Sequence, residues 1–230
     1  CISEDVEYYT GAWVLVGIIF YAIQLYADFS GGIDITIGVA GLFGVCLPEN
    51  FNKPYFSKNI KEYWNRWHMT MGSWFTDYIF YPISVCKPML KFSRFSRSHF
   101  GEAIGKRMPV YLSSFAVWFA TGIWHGASWN FVIWGVLHGA YQIIGDVTKP
   151  LRRKVLGAVS IREDNAVHKV FQIIFTFVLV CFGWIFFRAN NVTDALVMTK
   201  KIFTDFSMLS FDSGCILNLG LDIANIAALV

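Results

Sequence analysis

The stretch that decides the fold is MPVYLSSFAVWFATGIWHGASWNFVIWGVLHGAYQII, residues 108–144. It contains two apolar segments, about Met108 to Ile123 and Ala127 to Ile144, separated only by Trp124-His125-Gly126. Each has about 17 residues, or about 26 Å of α-helix, slightly less than the ~30 Å hydrocarbon core of a bilayer. The pattern predicts a helical hairpin in a membrane, with His125 at its tip, within or just below the outer half.

The rest of the 230-residue chain has the composition of a membrane protein. It is 55% hydrophobic and 15% charged, whereas a soluble domain has about 25% charged residues. Further segments of spanning length run from about Trp13 to Phe29, Ile33 to Leu47 and His168 to Phe187, and the apolar end, 214–230, is interpreted as another span that has been cut. A large soluble core explains this clustering less well. We predict an all-α, polytopic membrane helical bundle.

The segments between these spans carry polar and small residues. Asp28 and Asp34 flank the first break, and the glycines that follow are spaced for close helix contact in lipid, at Gly38, Gly41 and Gly44. Ser57 is predicted to cap a helix that begins near Ile60. From Glu62 to about Tyr81, aromatic residues recur every three or four positions, which predicts an amphipathic helix that Pro82 ends or kinks.

Basic residues cluster at both ends of the 108–144 hairpin. Segment 87–107 has a single acid and six basic residues: Lys87, Lys91, Arg94, Arg97, Lys106 and Arg107. A second cluster follows the hairpin, at Lys149, Arg152, Arg153 and Lys154. By the positive-inside rule, 87–107 is a basic cytoplasmic loop, and the hairpin enters and leaves on that side. The loop is either a solvated connection or a docking surface for an acidic partner.

Several classes of site have no support in the sequence. The five cysteines show no CxxC pair and no zinc spacing, so we predict no metal site. There is no GxSxG elbow, no phosphate-binding loop and no suggestive carboxylate pair. A net charge of +3 is too small to indicate nucleic-acid binding. The chain begins with Cys1 and has no leader, so we interpret it as a fragment.

Two of the five histidines are candidates for chemistry. His99 is expected to be solvated, His168 to mark the interface, and His138 to be a hydrogen-bonded core residue or to have a polar role. A neutral imidazole at membrane depth is costly without a partner or a function, and it can accept a proton as a general base. His125 and His68 fit this role. The alternatives are a turn histidine bonded to a carbonyl and the polar edge of an interfacial aromatic belt.

Four segments carry a resemblance to a known family. They are YADFSGGIDITIGVAGLFG, PENFNKPYFSKNIKEYWNRWHMTMGSWFTDYIFYPIS, TGIWHGASWNFVIWGVLHG and GWIFFRANNVTDAL, and they cover most of residues 20–200. In this order they resemble the membrane-bound O-acyltransferase family, in its bacterial branch of alginate O-acetylases and teichoic-acid D-alanyl transfer proteins. SKNIKEYWNRWHMT is similar to the D-alanyl type, whereas DFSGGIDI, PENF, IFYPIS and GASWNFVIWG are closer to the polysaccharide O-acetylase type, which we favour.

The resemblance implies a bundle with a central funnel or tunnel, of which 1–230 is one catalytic region lacking the N-terminal helices. It also implies catalytic roles for His125 and His68. Candidate substrate-binding residues from the same motifs are Trp67, Arg66, Asn65, Trp124, Asn130 and Asp77. We hypothesise that His125 deprotonates an acceptor hydroxyl and that His68 polarises the thioester carbonyl or positions the donor.

The implied activity is acyl transfer, of acetyl by preference, for O-acetylation of an extracellular polysaccharide. The donor is a cytoplasmic thioester, acetyl-CoA or an acyl carrier, and no permanently bound cofactor is expected. Expected partners are an extracytoplasmic acetyltransferase, the polysaccharide, an acidic carrier protein and the lipids of a bacterial inner membrane. One alternative is D-alanyl transfer to teichoic acid. A distant one is a channel or transporter without chemistry.

Overall fold

The computed structural model describes residues 9–158 and 165–206. All regular elements in these ranges are helices: α1 (Gly11–Leu42), α2 (Ile60–Trp64), α3 (Met69–Phe75), α4 (Tyr81–Val85), α5 (Lys87–Gly105), α6 (Met108–His125), α7 (Trp129–Val147), α8 (Lys149–Ala158), α9 (Ala166–Arg188) and α10 (Val192–Thr204). A 3-10 turn, Pro54–Phe56, precedes α2, and a π-helical turn, Thr76–Phe80, joins α3 to α4. The all-α prediction is confirmed for this part of the chain, and segment 214–230 lies outside it.

Two helices in the described ranges are long and apolar enough to cross a bilayer. They are α1, with 32 residues, and α9, with 23, which correspond to about 48 and 35 Å. Phe171 and Phe175 of α9 are more than half exposed, as expected of side chains that face lipid. Helices α6 and α7 form the predicted hairpin, with a link of only three residues, 126–128. That these two helices also cross the membrane stays a prediction.

The first two predicted spans are wrong as separate elements, because α1 runs without a break from Gly11 to Leu42. The stretch around Ser30-Gly31-Gly32 was expected to interrupt it, but a helical glycine costs only about 1 kcal/mol relative to alanine. A backbone break in lipid would leave N–H and C=O groups unsatisfied, at several kcal/mol each. The predicted packing glycines also differ: within the described residues, a Cβ added at Gly38, Gly41 or Gly44 would meet nothing within 4 Å.

The predicted amphipathic helix from Glu62 to Tyr81 is broken in the middle. Helix α2 ends at Trp64, and His68 has a left-handed backbone, φ 47° and ψ 56°, immediately before α3. The three- and four-residue spacing of the aromatic residues continues from α2 into α3. The sequence pattern therefore did not reveal the break between the two helices. The N-cap of α2 is also not Ser57 but Asn59, whose side chain accepts a hydrogen bond from the N–H of Glu62 at 2.9 Å.

The basic segment 87–107 is a helix rather than the predicted loop. The basic side chains of α5 are exposed. Their large number hid the helical spacing of the apolar residues between them. Near its end the chain turns at Gly101, whose φ of 76° is favourable only for glycine. This turn brings Gly105 against Arg97, where an added Cβ would lie 2.5 Å from the Arg97 Cα.

Buried indoles join the helices that position the candidate site. Helix α7 packs against both α6 and α9, and α9 also contacts α1. Trp134 of α7 and Trp184 of α9 are stacked with ring centroids 5.8 Å apart, and both are almost fully buried. The ring of Trp67, in the link between α2 and α3, lies 5.6 Å from that of Trp184. The link that carries His68 is therefore fixed against the same core as the hairpin.

Candidate active site

His125 is the last residue of α6, at the tip of the hairpin. Its imidazole is half-buried and meets two aromatic rings edge to face, Trp134 of α7 at 4.9 Å and Phe187 of α9 at 5.0 Å. The following Gly126 leaves room for the turn, since an added Cβ would lie 2.7 Å from the ring of Phe131. Aromatic walls from two helices therefore hold the orientation of His125, and the hydrogen-bonded turn histidine considered as an alternative is not what the structure shows.

His68 lies in the break between α2 and α3 and is also half-buried. Its ring meets Phe29 of α1 edge to face at 4.8 Å and is stacked near Phe51 at 6.4 Å. A left-handed backbone costs a non-glycine residue roughly 1–3 kcal/mol, and such strain concentrates at functional sites. The strain at His68 is supported by a short antiparallel pairing in which Phe51 faces Trp67. Outside the spanning helices, burial lowers the pKa of His68, so its neutral form predominates near pH 7.

The structure brings the two predicted catalytic histidines to one region. Both lie beside the aromatic core, His68 next to Trp67 and His125 against Trp134 and Phe187. A chain of rings also connects them: Trp67 contacts Trp184, and Trp184 contacts Phe187 at 5.3 Å. Two histidines far apart in sequence therefore border the same aromatic core.

Both imidazoles offer accessible nitrogen atoms. In the ranges that the structure covers, neither ring nitrogen of His125 has a hydrogen-bond partner, and the same holds for Nε2 of His68. His138 differs, because it is fully buried and its Nδ1 accepts a hydrogen bond from Trp64 Nε1 at 3.2 Å. His138 is thus a core histidine, whereas His125 and His68 can meet a substrate.

The predicted substrate-binding residues separate into exposed and engaged side chains. Trp124 is 59% exposed next to His125, while Asn65 and Asp77 are exposed on the α2–α3 link and the π-helical turn. Arg66 is engaged in an ion pair with Glu62 at 2.6 Å. Trp67 is 5% exposed and packs in the aromatic core. Trp124 contacts a candidate catalytic ring, that of His125, with ring centroids 4.7 Å apart.

Asn130, another predicted substrate-binding residue, ties the hairpin to the end of α9. It is 2% exposed, and its amide nitrogen donates to the carbonyls of Phe186 at 3.2 Å and Ala189 at 2.9 Å. These carbonyls belong to the last turn of α9 and the residue after it, where helical partners are missing. Asn130 therefore holds Phe187 beside His125.

We expect Asn130→Ala to lower the free energy of unfolding by about 1–3 kcal/mol, because two buried carbonyls lose their donor. Denaturant titration of the full-length protein in detergent measures this. An exposed amide, as in Asn65→Ala, serves as the control and should change stability little. Unchanged stability of Asn130→Ala together with a raised KM would instead indicate that this side chain binds substrate.

The sequence reasoning missed Asn50, which lies in the quoted PENF motif. It is 7% exposed, and its side-chain oxygen lies 3.0 Å from Nδ1 of His68. The same oxygen accepts from the backbone N–H and the hydroxyl of Thr70, at 3.2 and 2.6 Å. The available signal was an asparagine two residues after Pro48, but its partner could not be identified without the fold.

A basic cavity lies at the opposite end of the hairpin from His125. It has a volume of about 470 Å³ and is lined by Arg107, Asp146, Lys149, Pro150 and Arg153. The hydroxyl of Tyr111 donates to Asp146 at 2.6 Å, which engages the one acid at this cavity. The cavity is therefore suited to an anionic group.

Comparison with known proteins adds an independent observation. The model of the membrane-bound O-acyltransferase family matches residues 4–189. The chain is 33% identical over 180 residues to a peptidoglycan O-acetyltransferase of Helicobacter pylori, covering 78% of this chain and 29% of that protein. It is 34% identical over 196 residues to a probable alginate O-acetylase of Pseudomonas aeruginosa, covering 84% and 31%.

A third relative has a different acyl group in its name. The teichoic acid D-alanyltransferase of Bacillus subtilis is 33% identical over 171 residues, covering 74% of this chain and 40% of that protein. The chain thus spans 29–40% of the length of these three relatives. The match extends over both histidines, the aromatic core and α9. The chain therefore belongs to the membrane-bound O-acyltransferase family.

Proposed function

We propose that the complete protein transfers an acetyl group from a cytoplasmic thioester, across the membrane, for O-acetylation of an extracellular polysaccharide. The observation that carries the proposal is the setting of His125. Its ring is oriented by Trp134 and Phe187, and its nitrogens stay accessible. His68, whose neighbour Trp67 is linked to Phe187 and His125 through the ring of Trp184, completes a site of two imidazoles. Their catalytic roles are part of the proposal.

In the proposed reaction His125 acts as the general base. An unprotonated ring nitrogen takes the proton of an acceptor hydroxyl as its oxygen attacks the thioester carbonyl carbon. The carbon–sulfur bond breaks, an ester forms, and the thiolate leaves and recovers a proton. Base catalysis contributes about 10²- to 10⁴-fold, and positioning can supply more. No covalent acyl-enzyme is needed.

The charge distribution supports delivery of the donor from the cytoplasm. Coenzyme A and acyl carrier proteins are both anionic, and the basic cavity beside Lys149 lies at the end of the hairpin that the positive-inside rule assigns to the cytoplasm. His125 lies at the other end. We propose that a tunnel in the complete, multi-pass inner-membrane protein joins the two, with the polysaccharide and an extracytoplasmic partner protein on the outer side.

D-alanyl transfer to teichoic acid is the second candidate. The identity to a D-alanyltransferase, 33%, is practically equal to the 34% for the alginate-type relative, so similarity does not separate the acyl groups. The exposed basic residues of α5 also fit an acidic carrier protein. We favour acetyl because DFSGGIDI, PENF and GASWNFVIWG resemble the O-acetylase type.

The donor is identified by offering full-length protein in proteoliposomes labelled acetyl-CoA and, separately, labelled D-alanyl carrier protein. We expect transfer of acetyl, and surface polymer from cells with the gene should be heavier by one acetyl per modified site than polymer from cells without it. An alanyl increment would support the second candidate. Flux of solute through the liposomes without acyl turnover would replace both with a channel or transporter.

A further inference from the structure

We propose that Asn50 is a positioning residue that fixes His68 as the tautomer protonated on Nδ1, so that Nε2 faces the substrate as a hydrogen-bond acceptor. This inference rests on the proposed function for its consequence in catalysis. The tautomer itself follows from the hydrogen bonds around one amide oxygen and can be tested without turnover.

The first step assigns the amide of Asn50. The backbone N–H of Thr70 can only donate, and it faces the Asn50 side-chain atom assigned as Oδ1 at 3.2 Å. That atom is therefore the oxygen rather than the nitrogen. The assignment also lets Nδ2 donate to the carbonyl of Pro48 at 3.3 Å. Both ends of the amide then have matching partners, and the group cannot flip without losing both.

The second step assigns the proton of His68. An amide oxygen accepts and never donates, so the contact of 3.0 Å between Asn50 Oδ1 and His68 Nδ1 requires the proton on Nδ1. A neutral imidazole carries one proton, and Nε2 then holds only a lone pair. In the described part of the chain this atom has no partner and is not among the fully buried polar atoms. It is available to a donor on the substrate.

The backbone reinforces this geometry. The carbonyl of Asn50 accepts from the N–H of Met69 at 3.0 Å, and the N–H of Asn52 donates to the carbonyl of Arg66 at 3.0 Å. These bonds enclose His68 and stabilise its left-handed conformation. The Asn50 side chain therefore sits on the same short pairing that determines where the imidazole lies.

The consequence changes the role expected from the sequence. A bare Nε2 cannot polarise a thioester carbonyl, because polarisation needs a donor. It can accept a hydrogen bond from a neighbouring hydroxyl of the polysaccharide and so position the reacting hydroxyl, whose single proton is then free to pass to His125. The titratable group that interacts with His68 among the described residues is His125.

The test compares Asn50→Leu, Asn50→Asp and the control Thr70→Val in the full-length protein. Thr70→Val removes one donor to the same oxygen but leaves His68 alone, so its activity should stay within about threefold of wild type. Asn50→Leu should lower kcat at least tenfold with little change in the KM of the donor. Asn50→Asp should keep activity at high pH but move the acidic limb of the kcat/KM profile to higher pH, because a carboxylate stabilises the imidazolium.

A second measurement is independent of activity. In reconstituted protein labelled with ¹⁵N-histidine, the nitrogen shifts distinguish the two neutral tautomers, with His68→Gln assigning the signal. We expect the Nδ1–H form in wild type and Thr70→Val, and a mixture in Asn50→Leu. An Nε2–H form in wild type overturns the proposal even if acyl transfer is confirmed. The expected tautomer in a protein without acyl transfer would leave the assignment standing and remove only the proposed function.

Discussion

Replacing His125 with alanine in the full-length protein is expected to lower acyl transfer by at least about 100-fold, the lower bound of general-base catalysis. In wild type the His125 imidazole packs against Trp134 and Phe187. Without it, the proposed site has no base to take the proton of the acceptor hydroxyl. The rings around it remain, so substrate binding should change far less than kcat. Initial rates in proteoliposomes with a labelled thioester donor measure the effect.

The matched control is His99→Ala, which removes an exposed histidine of α5 whose Nδ1 lies near the carbonyl of Phe95 one turn earlier. It should transfer acyl groups at the wild-type rate. Thermal unfolding in detergent shows whether His125→Ala is still folded. A folded His125→Ala protein with normal turnover would remove the central mechanism, whichever acyl group is transferred.

The hairpin and helix α9 were predictable because the sequence of each segment shows its length and its apolar character. Helix α6 ends at His125 and α7 begins at Trp129, close to the predicted boundaries. Two apolar arms of similar length joined by three polar or small residues leave few other arrangements in a bilayer. The candidate role of His125 followed from its place at that bend, and the structure puts it beside a ring of α9.

The environment of His68 could not be predicted in the same way. It depends on Asn50, 18 residues earlier, and on a left-handed residue inside a pattern that reads as helix. The spacing of apolar residues indicates which side chains share a helix face. It does not reveal a single left-handed residue between two helical segments. Asn130 shows the same limit, because its partners lie 56 and 59 residues later in α9.

The glycines that allow close helix contact were predicted in the wrong helix, again because local sequence does not identify the neighbouring helix. Small residues at helical spacing indicate that close approach is possible, not which helix approaches. Among the residues that the structure describes, Gly38 and Gly41 meet no neighbour, whereas Gly122, Gly135 and Gly139 lie in the contact between α6 and α7. Three-dimensional contact, rather than spacing, separates the two sets.

Gly135→Ala is expected to destabilise the protein more than the same substitution at Gly139 or Gly145, the other glycines of α7. A Cβ at this position would lie 2.4 Å from the carbonyl oxygen of Trp118 and 3.1 Å from the backbone nitrogen of Gly122. Both neighbours are backbone, so neither can rotate away, and α6 must move from α7. We expect a loss at or above about 3 kcal/mol, the upper end of the usual range for overpacked sites, measured by denaturant titration in detergent.

The control is Gly145→Ala on the same helix, where an added Cβ meets nothing within 4 Å of the described residues. Alanine is there favoured over glycine by about 1 kcal/mol in helix propensity, so stability should be unchanged or higher. Trp118 and His125 share α6, whereas Trp134 lies on α7, so separating the helices also moves the proposed catalytic ring of His125 away from Trp134. Any Gly135→Ala protein that stays folded should therefore lose turnover, and equal stability of the two variants would show that α6 and α7 are not in backbone contact.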